Sequence, residues 1–157
     1  MKAIIVYYSL GGNTESIAKE IQKATGADIE KIETRLPYEG SYDDIVQQGQ
    51  DEVEKGFCPE IKPLKADLNE YDTVILGTPV WWYTFAPARH SFLKEQNLFG
   101  KNVYLFATNG GWLGHTRKDF RKLLNGCEIK GEISIRFDGE ELKTSKEDIQ
   151  NWIHQIC

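Results

Sequence analysis

A short loop rich in glycine and polar side chains is the first candidate binding site in this chain. Its residues are Ser9, Leu10, Gly11, Gly12, Asn13 and Thr14. They follow an apolar run at residues 3–8 and precede a helical pattern that begins at about Thr14. Backbone N–H groups at a strand-to-helix junction point at one spot, and the positive end of the helix dipole favours an anion there. The loop therefore predicts a phosphate site that needs no basic side chain.

This loop lacks the parts of two common nucleotide sites. A Walker A loop requires Gly-Lys-Ser/Thr, and no lysine occurs between Ser9 and Thr14. A dinucleotide fingerprint requires G-x-G-x-x-G, a spacing that the loop does not have. Without a lysine or an evident Mg²⁺ ligand, phosphoryl transfer is not expected. The phosphate is predicted to anchor a ligand whose chemistry lies elsewhere. The alternative is an ordinary glycine turn in which Thr14 caps the helix.

Two further segments supply aromatic residues and glycines that suit a flat ligand. One comprises Thr78, Pro79, Val80, Trp81, Trp82 and Tyr83, and the other comprises Asn109, Gly110, Gly111, Trp112, Gly114 and His115. Adjacent aromatic residues cannot all face one core, and stacking on a planar ligand would explain an exposed ring. The alternative is that one tryptophan packs in the core and the other on a helix. The glycines allow the backbone to approach a ligand closely.

The elements that must position these segments alternate regularly. Strands are predicted at about 2–8, 27–32, 73–77, 102–107 and 128–137, and helices at about 14–25, 42–55, 87–95, 116–124 and 146–156. Such alternation predicts an α/β fold, a doubly wound parallel sheet with helices on both faces. The three segments are predicted as loops after the first, third and fourth strands. They should therefore meet at the edge of the sheet where ligands bind in this class.

Length and composition are those of a single globular domain covering residues 1–157. No apolar run is long enough for a membrane helix, and strand-like sequence from Lys2 leaves no room for a signal peptide. A cytoplasmic location is therefore expected. Cys58, Cys127 and Cys157 have no metal-ligand spacing, so neither a metal site nor a disulfide framework is predicted.

The net charge of −5 is unevenly distributed. Residues 39–72 contain ten acidic and three basic side chains, so this segment carries −7 and the remainder +2. An acidic surface can accelerate encounter with a basic partner protein. An acidic solvated helix can equally serve solubility alone. Nucleic acid is not expected as a partner.

The three segments together resemble the flavin loops of the flavodoxins. Residues 9–14 are similar to that family's Ser/Thr-x-Thr-Gly-x-Thr phosphate loop, with Gly11 where threonine is usual. Gly77-Thr78-Pro79-Val80-Trp81-Trp82 and Thr108-Asn109-Gly110-Gly111 resemble the second and third loops of a small bacterial subgroup. The resemblance covers nearly the whole chain. It implies a three-layer, five-stranded sheet of order 2-1-3-4-5, of the short-chain type, with FMN bound between strands one and three.

The resemblance implies an electron carrier that shuttles low-potential electrons between redox partners and has no catalytic residue of its own. Basic partners are expected to dock on residues 39–72. A site without basic residues should disfavour the extra negative charge of the reduced flavin. The alternative is an FMN-dependent NAD(P)H:quinone oxidoreductase on the same fold, with Tyr83, His115 or Arg117 as candidate proton donors.

Two other functions known on similar sheets are excluded by the strand ends. A receiver domain needs acidic residues there to hold Mg²⁺, and this chain has Tyr8-Ser9 and Gly77-Thr78 instead. A cysteine phosphatase needs a cysteine in the first loop, and residues 9–14 contain none.

Overall fold

The computed structural model describes residues 2–9, 12–36, 38–55, 59–81, 84–96, 98–111, 114, 116–124 and 126–156. The strands are β1 (Ala3–Tyr7), β2 (Asp28–Lys31), β3 (Thr73–Trp81), β4 (Thr84–Phe85), β5 (Asn102–Asn109), β6 (Glu128–Asp138) and β7 (Glu141–Leu142). The helices are α1 (Asn13–Thr25), α2 (Tyr42–Lys55), α3 (Pro87–Glu95), α4 (Thr116–Leu123) and α5 (Lys146–Ile156).

The sheet confirms the predicted topology. Its order is β2-β1-β3-β5-β6-β7, and the first five of these strands are parallel to one another. Because β4 is a two-residue strand beside β3, this order corresponds to the predicted 2-1-3-4-5. Two short strands were not predicted: β4 pairs antiparallel with β3, and β7 pairs antiparallel with β6. β6 continues without an insertion, as the short-chain type requires.

Two apolar layers cover the two faces of the sheet, because successive side chains of a strand point to opposite faces. In β3, Val74 packs in a layer with Phe92 of α3, whereas Ile75 packs in a layer with Ile21 of α1. α4 contributes Phe120 to the first layer, and α5 joins α1 in the second. This is the predicted three-layer arrangement.

Local signals set the helix ends. The N–H of Gly26, at φ 72°, donates to the carbonyl of Gln22 and ends α1. Ser41 and Asp44 form a reciprocal capping box before α2, with N–H to side-chain distances of 3.1 and 3.2 Å. Pro87 is the first residue of α3, as predicted. None of the helices in the described part of the chain has the length and apolarity needed to cross a membrane.

The prediction of a loop beginning at Thr78 is wrong for residues 78–81. β3 continues to Trp81, and Val80 and Trp81 pair with Phe85 and Thr84 of β4. β1 has already ended opposite Gly77, so Pro79 lies where β3 is no longer flanked on both sides. A missing N–H is tolerated at such a position. β5 likewise extends through residues 108 and 109, which were predicted as loop.

Candidate functional site

Described residues of the first predicted loop, Ser9 and Gly12, are joined at the start of α1. The hydroxyl oxygen of Ser9 accepts hydrogen bonds from the N–H groups of Gly12 and Glu15, both at 3.2 Å. Gly12 precedes α1 at φ 95°, a conformation that favours glycine. The N–H groups of Asn13 and Thr14 have no hydrogen-bond partner within the described part of the chain. These two donors, with the hydroxyl proton of Ser9, provide what a phosphate group needs.

Side chains of α1 fix this loop to neighbouring strands. Thr14 and Thr108 share a hydrogen bond of 2.7 Å between their Oγ1 atoms, and both residues are buried. Thr14 is therefore not the helix cap considered as the alternative. The Asn13 amide donates to the carbonyl oxygen of Gly139 at 2.9 Å. The turn between β6 and β7 is thus attached to the first loop, a contact that the sequence did not indicate.

We expect the Thr14→Val variant to lose about 1–2 kcal/mol of unfolding free energy, because the Thr108 hydroxyl would stay buried without its partner. The double variant T14V/T108V should recover part of that loss, since both polar groups are then removed. Urea denaturation of the wild type, both single variants and the double variant measures the coupling. Strictly additive losses would contradict the hydrogen bond.

Asn109 shapes the third segment through its side-chain amide. Its Nδ2 donates to Ser134 Oγ on β6 at 2.8 Å, and its Oδ1 accepts from the N–H of Gly111 at 2.9 Å. Gly111 has φ 136°, which side chains rarely adopt. Both polar ends of the amide are therefore used to hold the loop that begins at Gly110.

A basic side chain lies against this loop, beside the predicted site. Nε of Arg136 is 3.5 Å from the point that a Cβ on Gly111 would occupy. Arg136 is exposed and lies on β6 beside Asn109 of β5. This neighbour was not predicted from the sequence, because the contact depends on the pairing of β5 with β6.

The second segment is held by a buried threonine. Thr78 Oγ1 accepts from the N–H of Ala86 at 3.1 Å and donates to the carbonyl of Pro79 at 2.9 Å. Thr78 is fully buried, so its hydroxyl stabilises the β3–β4 hairpin. Pro79 and Val80 follow it at the cleft described next.

A cleft of about 690 Å³ opens at the carboxyl ends of β1, β3 and β5. A volume of this size is typical of small-molecule and cofactor sites. Seven of the predicted site residues line it: Ser9, Asn13, Thr14, Pro79, Val80, Asn109 and Gly110. The sequence did not predict the other lining residues, which are Ile45, Val46, Gly49, Thr108, Phe137 and Gly139.

The remaining predicted site residues either do not line the cleft or are not fully described by the structure. Gly12, Thr78, Gly111 and Gly114 are described but do not line the cleft. Leu10, Gly11, Trp82, Tyr83, Trp112 and His115 lie outside the described residues, and Trp81 is described only as part of β3. The flavin contacts assigned to these aromatic residues and to His115 stay predictions.

One part of the lining that was not predicted, the face of α2, could have been recognised from the sequence. Ile45, Val46 and Gly49 occupy one face of α2, and the acidic side chains of that helix lie mainly on the other. Such amphipathic spacing indicates that the helix covers something apolar. Phe137 and Gly139 carried no comparable signal, because only the sheet order brings the end of β6 to the cleft.

The lining suits a phosphate ester that carries a flat ring. The lining includes Asn13 and Thr14, whose N–H groups have no partner among the described residues, and apolar side chains of α2 and β3. None of the described lining residues has an ionisable side chain. FMN has both parts: the first loop would hold its phosphate, and the flavin would supply the redox chemistry.

A carboxylate is held beside the phosphate loop in the first turn of α1. The hydroxyl of Tyr7 donates to Glu15 at 2.9 Å, and Lys31 and Lys19 lie 3.7 and 3.8 Å from the same carboxylate. The Tyr7 hydrogen bond, and then the two lysines, lower the pKa of Glu15 against the opposing effect of burial. The charged form of Glu15 therefore stabilises the folded chain.

This lowered pKa predicts a pH-dependent contribution to stability. The contribution is fully present above the unfolded-state pKa of about 4.3 and is lost as the pH falls through the lower, folded-state pKa. We expect the wild type to exceed a Glu15→Gln variant in unfolding free energy at pH 7, and the gap to close toward pH 3. Denaturant unfolding across this range measures it. A gap that is the same at both ends would contradict the assignment.

Comparison with known proteins places the chain in a family. The family model described as flavodoxin matches residues 2–156. A probable NAD(P)H dehydrogenase (quinone) of Arabidopsis thaliana is 30% identical over 120 residues, which cover 70% of this chain and 42% of that protein. Flavodoxin 1 of Escherichia coli (strain K12) is 33% identical over 106 residues, which cover 65% and 46%. The chain spans less than half the length of these curated relatives.

The fold agrees with a solved flavoprotein. The structure of a flavoprotein in complex with FMN from Lactobacillus acidophilus NCFM has a TM-score of 0.77 and 20% identity, and the match covers 96% of this chain and 97% of that one. At this identity the likeness concerns the fold. Because the family model covers nearly the whole chain, the chain belongs to the flavodoxin family.

Proposed function

We propose that this chain binds FMN and carries low-potential electrons between partner proteins. The observation that carries the proposal is the lining of the cleft, which combines backbone donors with apolar walls and has no ionisable side chain among the described residues. Such a lining can hold and tune a flavin. Membership of the flavodoxin family supports the same function.

The acidic segment supports a docking surface close to the cofactor. Asp43, Asp51 and Glu54 are exposed and lie along one stripe of α2, because they are spaced by eight and three residues. The opposite face of α2 lines the cleft. A basic partner on the acidic stripe would be separated from the ligand by one helix, about 10 Å thick.

Glu52 does not belong to this stripe. It is 7% exposed and accepts a hydrogen bond of 2.7 Å from the hydroxyl of Tyr38. Its charge is directed inward and is not available to a partner.

The first experiment is the visible spectrum of the purified protein, before and after incubation with FMN. Flavin bands and release of FMN on denaturation are expected. A colourless protein that takes up no FMN would contradict the proposal.

The second candidate function is an NAD(P)H:quinone oxidoreductase that uses the same flavin. The observation favouring it is the Arabidopsis thaliana relative, which is named as a probable NAD(P)H dehydrogenase (quinone). Steady-state oxidation of NADPH and NADH with menadione as acceptor separates the two functions. Slow or absent turnover is expected of the carrier, and fast turnover saturating in both substrates would favour the enzyme.

The docking surface is tested with cytochrome c as a basic acceptor for the reduced, FMN-loaded protein. A variant lacking two charges of the stripe, D51N/E54Q, should transfer electrons more slowly at low ionic strength. The control E128Q/E147Q changes the net charge equally at exposed positions outside residues 39–72. Equal rates for the two variants would contradict the docking role.

The cytoplasmic location stays a prediction.

A further inference from the structure

Arg136 is a cation beside the third loop that has no acidic partner among the described residues. Its guanidinium lies along Gly111, with Nε, Cζ and Nη2 at 3.5, 3.7 and 3.9 Å from the position of a Cβ there. Lys143, in the same hairpin, pairs with Glu141 at 3.2 Å. Arg136 forms no ion pair within the described residues, although the chain carries a net charge of −5. Its charge therefore remains available to a ligand at the loop.

The backbone of Arg136 is fixed in place. Its N–H donates to Thr144 Oγ1 at 2.7 Å, and its carbonyl accepts from the N–H groups of Lys143 and Thr144 at 2.8 and 3.3 Å. The turn of this hairpin also binds the first loop, through Gly139 and Asn13. The hairpin thus places one cation at the third loop while it is attached to the predicted phosphate site.

We infer that Arg136 raises the reduction potential of the bound flavin, an inference that rests on the proposed binding of FMN. Two electrons and one proton convert the neutral flavin ring into a ring with one net negative charge. A cation beside the third loop, whose residues Asn109 and Gly110 line the cleft, favours that charge and leaves the neutral ring almost unaffected. Arg136 thereby limits how far the apolar cleft lowers the potential. Because Arg136 is exposed, salt should weaken the effect.

The test compares Arg136→Gln with Lys23→Gln, which removes the same charge far from the cleft. Lys23 is exposed in the last turn of α1, ten residues from Asn13 and hence about 15 Å along the helix. Reductive titration with dithionite against a reference dye gives the two-electron midpoint potential. Fluorescence titration gives the dissociation constants of oxidised FMN and of riboflavin. Arg136→Lys tests whether charge alone suffices.

For R136Q we expect reduced FMN to bind up to tenfold more weakly, with the affinity of oxidised FMN unchanged. A tenfold change lowers the midpoint of a two-electron couple by about 30 mV. R136K and K23Q should stay close to the wild type, and the shift should shrink in about 1 M salt, where the Debye length is about 3 Å.

Three results would overturn the inference while FMN binding stands. R136Q and K23Q could have the same potential, or R136Q could weaken oxidised and reduced FMN equally, which would indicate a structural role in the loop. R136Q could also weaken oxidised FMN but not riboflavin, which would assign the guanidinium to the phosphate. A wild-type chain that binds no flavin would overturn the proposed function itself.

Discussion

A Gly77→Ala variant should lose about 3 kcal/mol of unfolding free energy, because its new methyl group would overlap a buried ring. A Cβ on Gly77 would lie 2.1 Å from Cζ of Phe106 and less than 3 Å from both of its Cε atoms. Phe106 is 1% exposed and packs edge-on against Trp152, with ring centroids 6.3 Å apart. The ring has no free space to enter, so the strands or the core must shift.

The control for this prediction is Gly110→Ala. A Cβ on Gly110 would meet no atom within 4 Å, so its effect on stability should stay within about 0.5 kcal/mol. Urea denaturation gives both values. The double variant G77A/F106L should be more stable than G77A, because the smaller side chain relieves the overlap. Equal stabilities of G77A and G110A would show that Phe106 does not lie over Gly77.

Gly77 also shows which kind of feature could not be predicted from the sequence. The order of the five parallel strands and the five helices was predicted correctly because apolar periodicity is a local property that the sequence displays directly. The packing role of Gly77 depends on its register opposite Phe106 on β5, and no local pattern encodes that register. The strand at residues 78–81 was missed for the same reason, since its partner β4 is only two residues long.

Several residues that line the cleft were predicted from the sequence, but the partners that their side chains bind were not. Ser9, Asn13 and Thr14 line the cleft as the loop pattern indicates, but part of their side-chain bonding serves the protein itself. The side-chain amide of Asn109 binds Ser134 on β6 and the N–H of Gly111 in its own loop. Arg136 lies beside the third loop because β5 pairs with β6, which places it opposite residue 109. Side-chain roles at a sheet edge follow from neighbours in space, and these are distant in sequence.

A Ser9→Ala variant should bind FMN about 10–100-fold more weakly than the wild type. Two effects contribute to this expected loss of FMN affinity. The hydroxyl proton is the donor that Ser9 can offer to a phosphate, and a hydrogen bond to a charged group contributes about 1.5–3 kcal/mol. The hydroxyl oxygen also accepts from the N–H groups of Gly12 and Glu15, so the loop itself becomes less well fixed.

Riboflavin separates these two effects, because it has the ring of FMN without the phosphate. The wild type should prefer FMN to riboflavin, and S9A should reduce that preference. Ser16→Ala is the matched control, since its hydroxyl bonds the carbonyl of Asn13 at 2.8 Å but does not line the cleft. S16A should keep its FMN affinity within about twofold, as expected for an exposed substitution away from the site.

The outcome for riboflavin decides what the first loop does. If S9A weakens FMN and riboflavin equally, Ser9 acts through the shape of the loop, and the phosphate depends on backbone N–H groups such as those of Asn13 and Thr14. If S9A leaves FMN affinity unchanged, the hydroxyl makes no contribution to phosphate binding and its assignment is wrong. A selective loss of FMN affinity, measured well below the melting temperature of the variant, would identify Ser9 as a direct phosphate donor. It would also account for a phosphate site that has no basic residue among its described lining.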